Sequence, residues 1–321
     1  MRAYYFVPGA QGLALEAREV AVPEPAAGQL LVRLHAAGLN RGELASAQGA
    51  AKPGGTEGAG EVAKLGPGVP GFTLGQRVMG RCAGAFAEHA LMDAGEALPV
   101  PDRLSWEEAA SVPIVFCVVH DMLLGQGALE AGEWLLVAGV ASGVGVAALQ
   151  AAKALGAKVI GTSGSPDKLE KLEKLKPHGL DVGLATRKAD FRDAVMQATD
   201  GRGANLAVNT VGGTLFAECL RALAFEGRLA IVGYVDGVLS AQIDLGALHA
   251  RRLKLYGVSN RLRTPEQRAS SVRGFARDLL PAIADGRIRP FIDRVYAFDE
   301  LPAAKARMEA NAHVGKIVVR I

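Results

Sequence analysis

The sequence predicts an α/β protein of two parts, a compact β barrel and a doubly wound parallel sheet. Three observations predict it. Short strand-like runs separated by Gly and Pro fill the chain up to Ser105. From Ser105 onward, helix and strand alternate regularly. The tail, Ile317–Ile321, returns to strand and is expected to rejoin the barrel. Closely spaced strands with turn residues between them build barrels, whereas β-α alternation builds a parallel sheet with helices on both faces.

Each element has its own reason. Tyr4–Val7 and Leu30–Ala36 are strand runs, with Pro23, Pro25 and Gly28 between them. Glu57–Val69 is a strand interrupted by a Gly-Pro-Gly turn, and Gln76–Met79 and Ala85–Met92 add two more. Trp106–Leu124 reads as one helix. Trp134–Ala138 is an apolar strand, Gly143–Leu155 an Ala-rich helix, and Lys158–Thr162 the next strand. Pro166–Leu175 has Pro where a helix begins. Asp181–Ala185, Ala204–Asn209, Gly227–Gly233 and Leu253–Val258 complete the parallel set. A long helix follows Pro265 and runs to about Ala284. The expected domains are 1–112 with 286–321, and 113–285.

Composition narrows the function classes. Charged residues make up 21% and the net charge is +3, so no broad field attracts nucleic acid. Lys168, Lys171, Lys174 and Lys176 are interrupted by Glu170 and Glu173, the pattern of a solvated helix face. Trp134–Ala152 holds 19 residues without a charge, enough to span a bilayer, but Gly139, Ser142, Gly143 and Gly145 lie in its middle. It reads better as strand, turn and helix, and no membrane partner is expected. Arg2 is followed by no long apolar run, so no secretory signal is expected. Cys82, Cys117 and Cys219 are few and far apart, which suggests a reducing, cytoplasmic setting without disulfides.

The run WLLVAGVASGVGVAALQAAKALGAKVIG reads strand, glycine turn, helix, strand. A turn with little side chain lets the backbone approach a pyrophosphate, and the helix N-terminus offers N–H groups and a favourable dipole. Gly139, Ser142, Gly143 and Gly145 sit there, although the spacing departs from strict G-x-G-x-x-G. At the end of the second strand an Asp or Glu would bind the ribose hydroxyls of NAD. Ser163 stands there instead. Lys168, with Ser163 and Ser165, could hold a 2′-phosphate, and Arg187 could add a second cation. Asp167 is nearby but suits the helix dipole. NADPH is the expected cofactor.

AGLNRGEL (37–44), GGTEGAGEVAKLGPGV (54–69), GVASGVG (139–145), DGRGANLAVNTVGG (200–213) and IRPFIDRVYAFDELPAAKARMEANAHVGKIVV (288–319) together resemble the quinone oxidoreductase branch of the medium-chain dehydrogenase/reductase superfamily. The resemblance covers nearly the whole chain. It implies a GroES-like catalytic domain built from both chain ends, a Rossmann domain between, and a cofactor cleft between the two. It places Ser142, Gly143, Val144 and Gly145 at the pyrophosphate and Ser163 and Lys168 at the 2′-phosphate. Asn209, Val211 and Gly233 fall near ribose and nicotinamide, and Asn40 in the active site. It also implies a homodimer paired through Leu253–Val258. Three departures stand out. Ala45 and the loop Gly49–Pro53 leave no tyrosine shortly after Asn40. Thr186 stands where relatives often carry another tyrosine, and Ser142 replaces a usual glycine.

By the same resemblance, two of the metal-ligand positions of zinc-dependent alcohol dehydrogenases match Asn40 and Thr56, with Ile114 near the third, and these three are not a zinc ligand set. Glu57 survives alone, and only Cys82 remains where relatives carry a cysteine-rich lobe. The six histidines are scattered; His89 reads as structural, while His120 and Cys117 lie near the expected cleft. Alcohol oxidation uses zinc to stabilise an alkoxide. Hydride addition to a quinone or enone spreads charge over a conjugated system, which hydrogen-bond donors can meet. The expected activity is therefore zinc-independent hydride transfer from NADPH to a small conjugated carbonyl or quinone. Asn40 orients ribose or substrate, and solvent or Tyr234 supplies the proton. Two alternatives stay open. One is an enoyl-thioester reductase, for which Arg261 and Arg263 could meet a carrier phosphate. The other is a non-catalytic NADPH-binding protein.

Overall fold

The computed structural model describes residues 1–9, 12–44 and 50–321; Ala45 and Gly49, singled out above, lie outside them. The early strands are β1 (Arg2–Gly9), β2 (Gly12–Glu19), β3 (Gln29–Gly38), β4 (Lys52–Pro53), β5 (Glu57–Leu65), β6 (Arg77–Arg81), β7 (His89–Asp93) and β8 (Ala97–Pro99). A short helix α1 (Arg41–Leu44) follows β3, and α2 (Trp106–Ala110) and α3 (Pro113–His120) follow β8. Strands β9 (Trp134–Ala138), β10 (Lys158–Ser163), β11 (Val182–Ala185), β12 (Ala204–Asn209), β13 (Leu223–Ile231) and β14 (Lys254–Gly257) come next. Between them lie α4 (Gly143–Ala154), α5 (Pro166–Glu173), α6 (Arg192–Ala198), α7 (Gly213–Arg221) and α8 (Leu245–Ala250). The chain ends with α9 (Pro265–Asp278), α10 (Leu280–Ala284), β15 (Ile292–Ala297), α11 (Leu301–Glu309) and β16 (Lys316–Arg320).

One unit comprises Met1–Val115, Thr264–Ala276 and Pro290–Ile321. Its seven-stranded sheet runs β15-β16-β3-β5-β6-β8, with β7 also on β3, and a three-stranded sheet β2-β1-β4 lies beside it. The tail strand β16 pairs antiparallel with β3, Val318 opposite Gly38, which brings the chain end back as expected. Phe6, Leu30, Val32, Phe86, Met92, Ile317 and Val319 form the centre of its core. Burial of such side chains is the main stabilising term, on the order of 2 kcal/mol each.

The other unit comprises Phe116–Arg263 and Arg277–Arg289. Its six strands are all parallel in the order β11-β10-β9-β12-β13-β14. This is a doubly wound order, reversing between β9 and β12, and ligands bind at the carboxyl ends of strands around such a switch point. The run Trp134–Ala152 is a buried strand and a mostly buried helix, and no helix among the described residues is long and apolar enough to cross a membrane.

Two helices read as continuous are broken. Trp106–Leu124 divides into α2, α3 and a π turn at Asp121–Gly125. Ser105 caps α2 through a capping box with Glu108, and Pro113, lacking an N–H, starts α3 rather than extending α2. The helix after Pro265 stops at Asp278, and Pro281 lies in the first turn of α10. Strands β2, β4, β8 and β15 and helix α11 were not distinguished in the sequence; β2 lies at a sheet edge and buries little, so its pattern is weak.

Candidate active site

The glycine turn is built at the carboxyl edge of the parallel sheet. Ala138 pairs in register with Thr162 on one side and Asn209 on the other, so the loops after β9, β10 and β12 leave the sheet together. Gly139 has φ +82°, a conformation glycine adopts without strain. Ser142 is the N-cap of α4; its Oγ accepts from Gly145 N at 3.0 Å and donates to Gly139 O at 2.9 Å. Ser142 therefore closes the turn. A Cβ on Gly145 would fall 2.6 Å from the carbonyl oxygens of Gly139 and Val140, so only glycine fits. Gly143 and Val144 remain partly exposed at the helix start, the place where an anion is favoured.

The other cofactor candidates surround this edge. Ser163 ends β10, and its Oγ accepts from Ser165 N at 3.2 Å. Lys168 lies in the first turn of α5. Exposed Arg187, in the loop after β11, lies directly against Gly164, whose missing side chain makes room for it. Asn209 is fully buried and turned into its own loop: it donates to Gly212 O at 2.8 Å and accepts from Val211 N at 2.9 Å and Gly212 N at 3.0 Å. Its side chain shapes the loop. Gly233, past β13, approaches Thr210 O closely. Among the described residues, the sequence-chosen cofactor residues thus gather at one sheet edge.

Asn40 lies in the barrel unit, in a polar cluster assembled from β3, α1, β5 and β16. Its Nδ2 donates to Glu43 Oε1 at 3.0 Å and to Glu57 Oε1 at 2.8 Å, which uses both N–H groups. Its Oδ1 accepts from Lys316 Nζ at 2.9 Å. That ammonium also donates to Leu39 O at 2.8 Å and Glu57 Oε1 at 2.6 Å, so its three N–H groups are spent. Glu57 is fully buried, and its second oxygen accepts from Ile114 N at 2.8 Å. Thr56 Oγ1 donates to Glu43 Oε1 at 2.8 Å. Glu43 Oε2 is buried without a hydrogen-bond partner. Burial is the largest influence on the Glu43 carboxyl and, with Glu57 nearby, pushes it up to about 7 against the donors Asn40 and Thr56 and the charge of Lys316.

Asn40 therefore has no spare donor for a substrate, a point the sequence could not reveal. Glu43 and Lys316 were missed as separate candidates, although both stand inside quoted motifs, AGLNRGEL and the terminal GKIVV. Of the other candidates, His120 Nε2 pairs with Asp278 Oδ2 at 2.8 Å, and Arg263 bonds Asp121 Oδ2 at 2.8 Å. Tyr234 is exposed past β13 in the sheet unit, and Cys82 and Cys219 are buried thiols whose pKa burial raises. No cluster of three His, Cys, Asp or Glu able to hold a metal occurs among the described residues.

Residues 26–102 match the alcohol dehydrogenase GroES-like domain, and residues 143–272 match the zinc-binding dehydrogenase family. Mycobacterial Rv1454c, solved in complex with NADPH, is 28% identical with a TM-score of 0.89 over 100% of both chains. The quinone oxidoreductase of Pseudomonas syringae pv. Tomato DC3000 is 26% identical with a TM-score of 0.85, covering 100% of this chain and 99% of that one. The chain belongs to the quinone oxidoreductase branch of the medium-chain dehydrogenase/reductase superfamily. Its two units are the GroES-like barrel and the Rossmann-like parallel sheet of that superfamily. A further relative is a phenolphthiocerol/phthiocerol polyketide synthase of Mycobacterium tuberculosis, 32% identical over 315 residues, 96% of this chain but 14% of that one. The chain spans 4% to 14% of the length of such polyketide synthases.

Proposed function

We propose that this medium-chain reductase transfers hydride from NADPH to a quinone or an α,β-unsaturated carbonyl, without a metal. The observation that carries the cofactor choice is the end of β10: Ser163 stands where NAD binding needs a carboxylate, and Arg187 packs on Gly164 beside it. The start of α4 at Gly143 and Val144 holds the pyrophosphate, and Ser163, Lys168 and Arg187 the 2′-phosphate. NADPH, when bound, supplies the hydride. The metal-free reading is supported by donor chemistry: Asn40 and Thr56 offer an amide and a hydroxyl, and a lysine ammonium already occupies Glu57. These residues do not fit zinc. The structural neighbour solved with NADPH supports the cofactor, and a reducing, cytoplasmic setting suits three buried cysteines that form no disulfide with one another.

The test follows NADPH absorbance with chelator-treated protein, offering 1,4-benzoquinone, 9,10-phenanthrenequinone and a simple enone, with NADH in parallel. Turnover that prefers NADPH and survives the chelator is expected; Lys168→Ala with Arg187→Ala narrows that preference at least about tenfold. Dependence on added zinc, or preference for NADH, overturns the reading. A second reading, reduction of an enoyl thioester, is favoured by the polyketide synthase relative. Slow turnover of free enones beside fast turnover of a crotonyl thioester selects it.

A further inference from the structure

We propose that Thr56 and Glu43 form a two-residue proton relay, in which the Thr56 hydroxyl protonates the reduced substrate and Glu43 restores the hydroxyl. The proposal rests on the conjugated-carbonyl reading, whose product needs a proton after the hydride arrives. Elimination within the polar cluster leads to this pair. Both N–H groups of Asn40 and all three of Lys316 are spent on internal acceptors. Glu57 is fully buried and receives three hydrogen bonds. Thr56 is partly exposed, and its hydroxyl donates to Glu43 Oε1 at 2.8 Å, so protonation of that carboxyl releases the hydroxyl proton, which no titration of a partner does for the amide of Asn40.

Glu43 has an oxygen to spare. Its Oε2 is buried with no partner, so the ionised carboxylate is incompletely compensated there. The groups that face it are Glu57 and Lys316 as charges, Asn40 and Thr56 as hydrogen-bond donors, and the buried Cys82 thiol, whose titration its charge also influences. The balance leaves a carboxyl that exchanges its proton near neutral pH, about 7. In the relay, the Thr56 O–H bond breaks and its proton joins the α-carbon or oxygen of the substrate enolate. When Glu43 is protonated on Oε1 the hydrogen bond between the two runs the other way, Oε1–H donating to Thr56 Oγ1, and along it the hydroxyl oxygen takes the Glu43 proton as its own leaves. The carboxylate left behind is reprotonated from solvent. Hydride and proton together add two hydrogens across the conjugated bond, and NADPH is the reductant.

Thr56→Val keeps the shape and removes the hydroxyl; Thr56→Ser keeps the hydroxyl. For an enone, Thr56→Val is expected to lower kcat about 100-fold and Thr56→Ser to restore most of it, the usual scale of general-acid catalysis. Wild-type kcat falls as pH rises through about 7, where Glu43 loses its proton, and Glu43→Gln removes that limb. In deuterated water the wild type labels one face of the α-carbon, and Thr56→Val labels both. Reduction of 1,4-benzoquinone, whose product oxygens take protons from water, is the control that reports NADPH binding and hydride transfer intact. Carbon-13 NMR of the unliganded protein adds a readout without turnover: the Glu43 carboxyl titrates near neutrality and moves up in Thr56→Val, which loses a donor to the ionised form. A Glu43 carboxyl titrating in the ordinary range near 4.5, or Thr56→Val with wild-type enone turnover and stereochemistry, overturns the relay. Wild-type protein inert toward every conjugated acceptor instead overturns the underlying reading. Should Glu43→Gln misfold, the wild-type titration and the two threonine variants still decide.

Discussion

At the residue scale, the chemistry of the barrel unit turns on one buried cation. Lys316 Nζ satisfies Glu57, Asn40 and the Leu39 carbonyl together. Gly38 makes the packing possible, since a Cβ there would lie 2.7 Å from Glu57 Oε1 and 2.5 Å from Ala110 O. Taking two charges out of water is costly, and the loss is severe when one partner remains alone. Lys316→Met is therefore expected to destabilise the protein by roughly 3–5 kcal/mol, read by urea denaturation. Lys316→Met with Glu57→Gln recovers part of that loss, because no charge is left buried; equal losses in the single and double variants would remove the pair from the stability argument. Asn40 was legible in the sequence as a candidate. Its saturation was not, because Glu57 and Lys316 stand 259 positions apart.

At the element scale, the β9-turn-α4 unit was legible almost residue for residue, since an apolar strand, a glycine turn and an Ala-rich helix each have a local cause. Trp134–Ala138 and Ala204–Asn209 keep their expected bounds. The broken helices were not legible, because Pro113 and Pro281 start new helices where continued apolar patterning suggests one. The contact of Arg187 with Gly164 joins the loops after β11 and β10, and it carries a prediction. In Gly164→Ala the new methyl group meets the Arg187 side chain and displaces the guanidinium. The Kd for NADPH should then rise about tenfold, a change of about 1.4 kcal/mol, while that for NADH moves less than about twofold. Fluorescence titration of both cofactors checks this; equal weakening would place the damage in the turn rather than at the 2′-phosphate.

At the scale of the whole molecule, the parallel sheet ends at β14, which among the described residues is paired on one side only. An open edge invites pairing with a second strand. The segment after β13 and the start of α8 expose Leu239 at 76% and Leu245 at 67%, large apolar areas to leave in water. Both features fit the homodimer that the family resemblance implies. Sedimentation velocity should return twice the 33.4 kDa chain mass, and Leu239→Glu with Leu245→Glu should shift it to one chain. A monomer in the parent protein would remove the homodimer.

The sequence by itself determined the two-part α/β architecture, the glycine turn and the absence of a carboxylate after the second parallel strand. These are written in local patterns: alternation, turn residues, and the residue that follows a strand. Only the tertiary structure decided how the polar residues are spent. It turned Asn209 into its own loop, closed the glycine turn with Ser142, and drew Lys316 from the chain end onto Glu57. It also left Glu43 with one unpartnered oxygen beside the Thr56 hydroxyl. Whether a polar group is free or committed depends on every donor and acceptor within about 3 Å of it, and those neighbours are set by strand pairing between distant segments rather than by spacing along the chain.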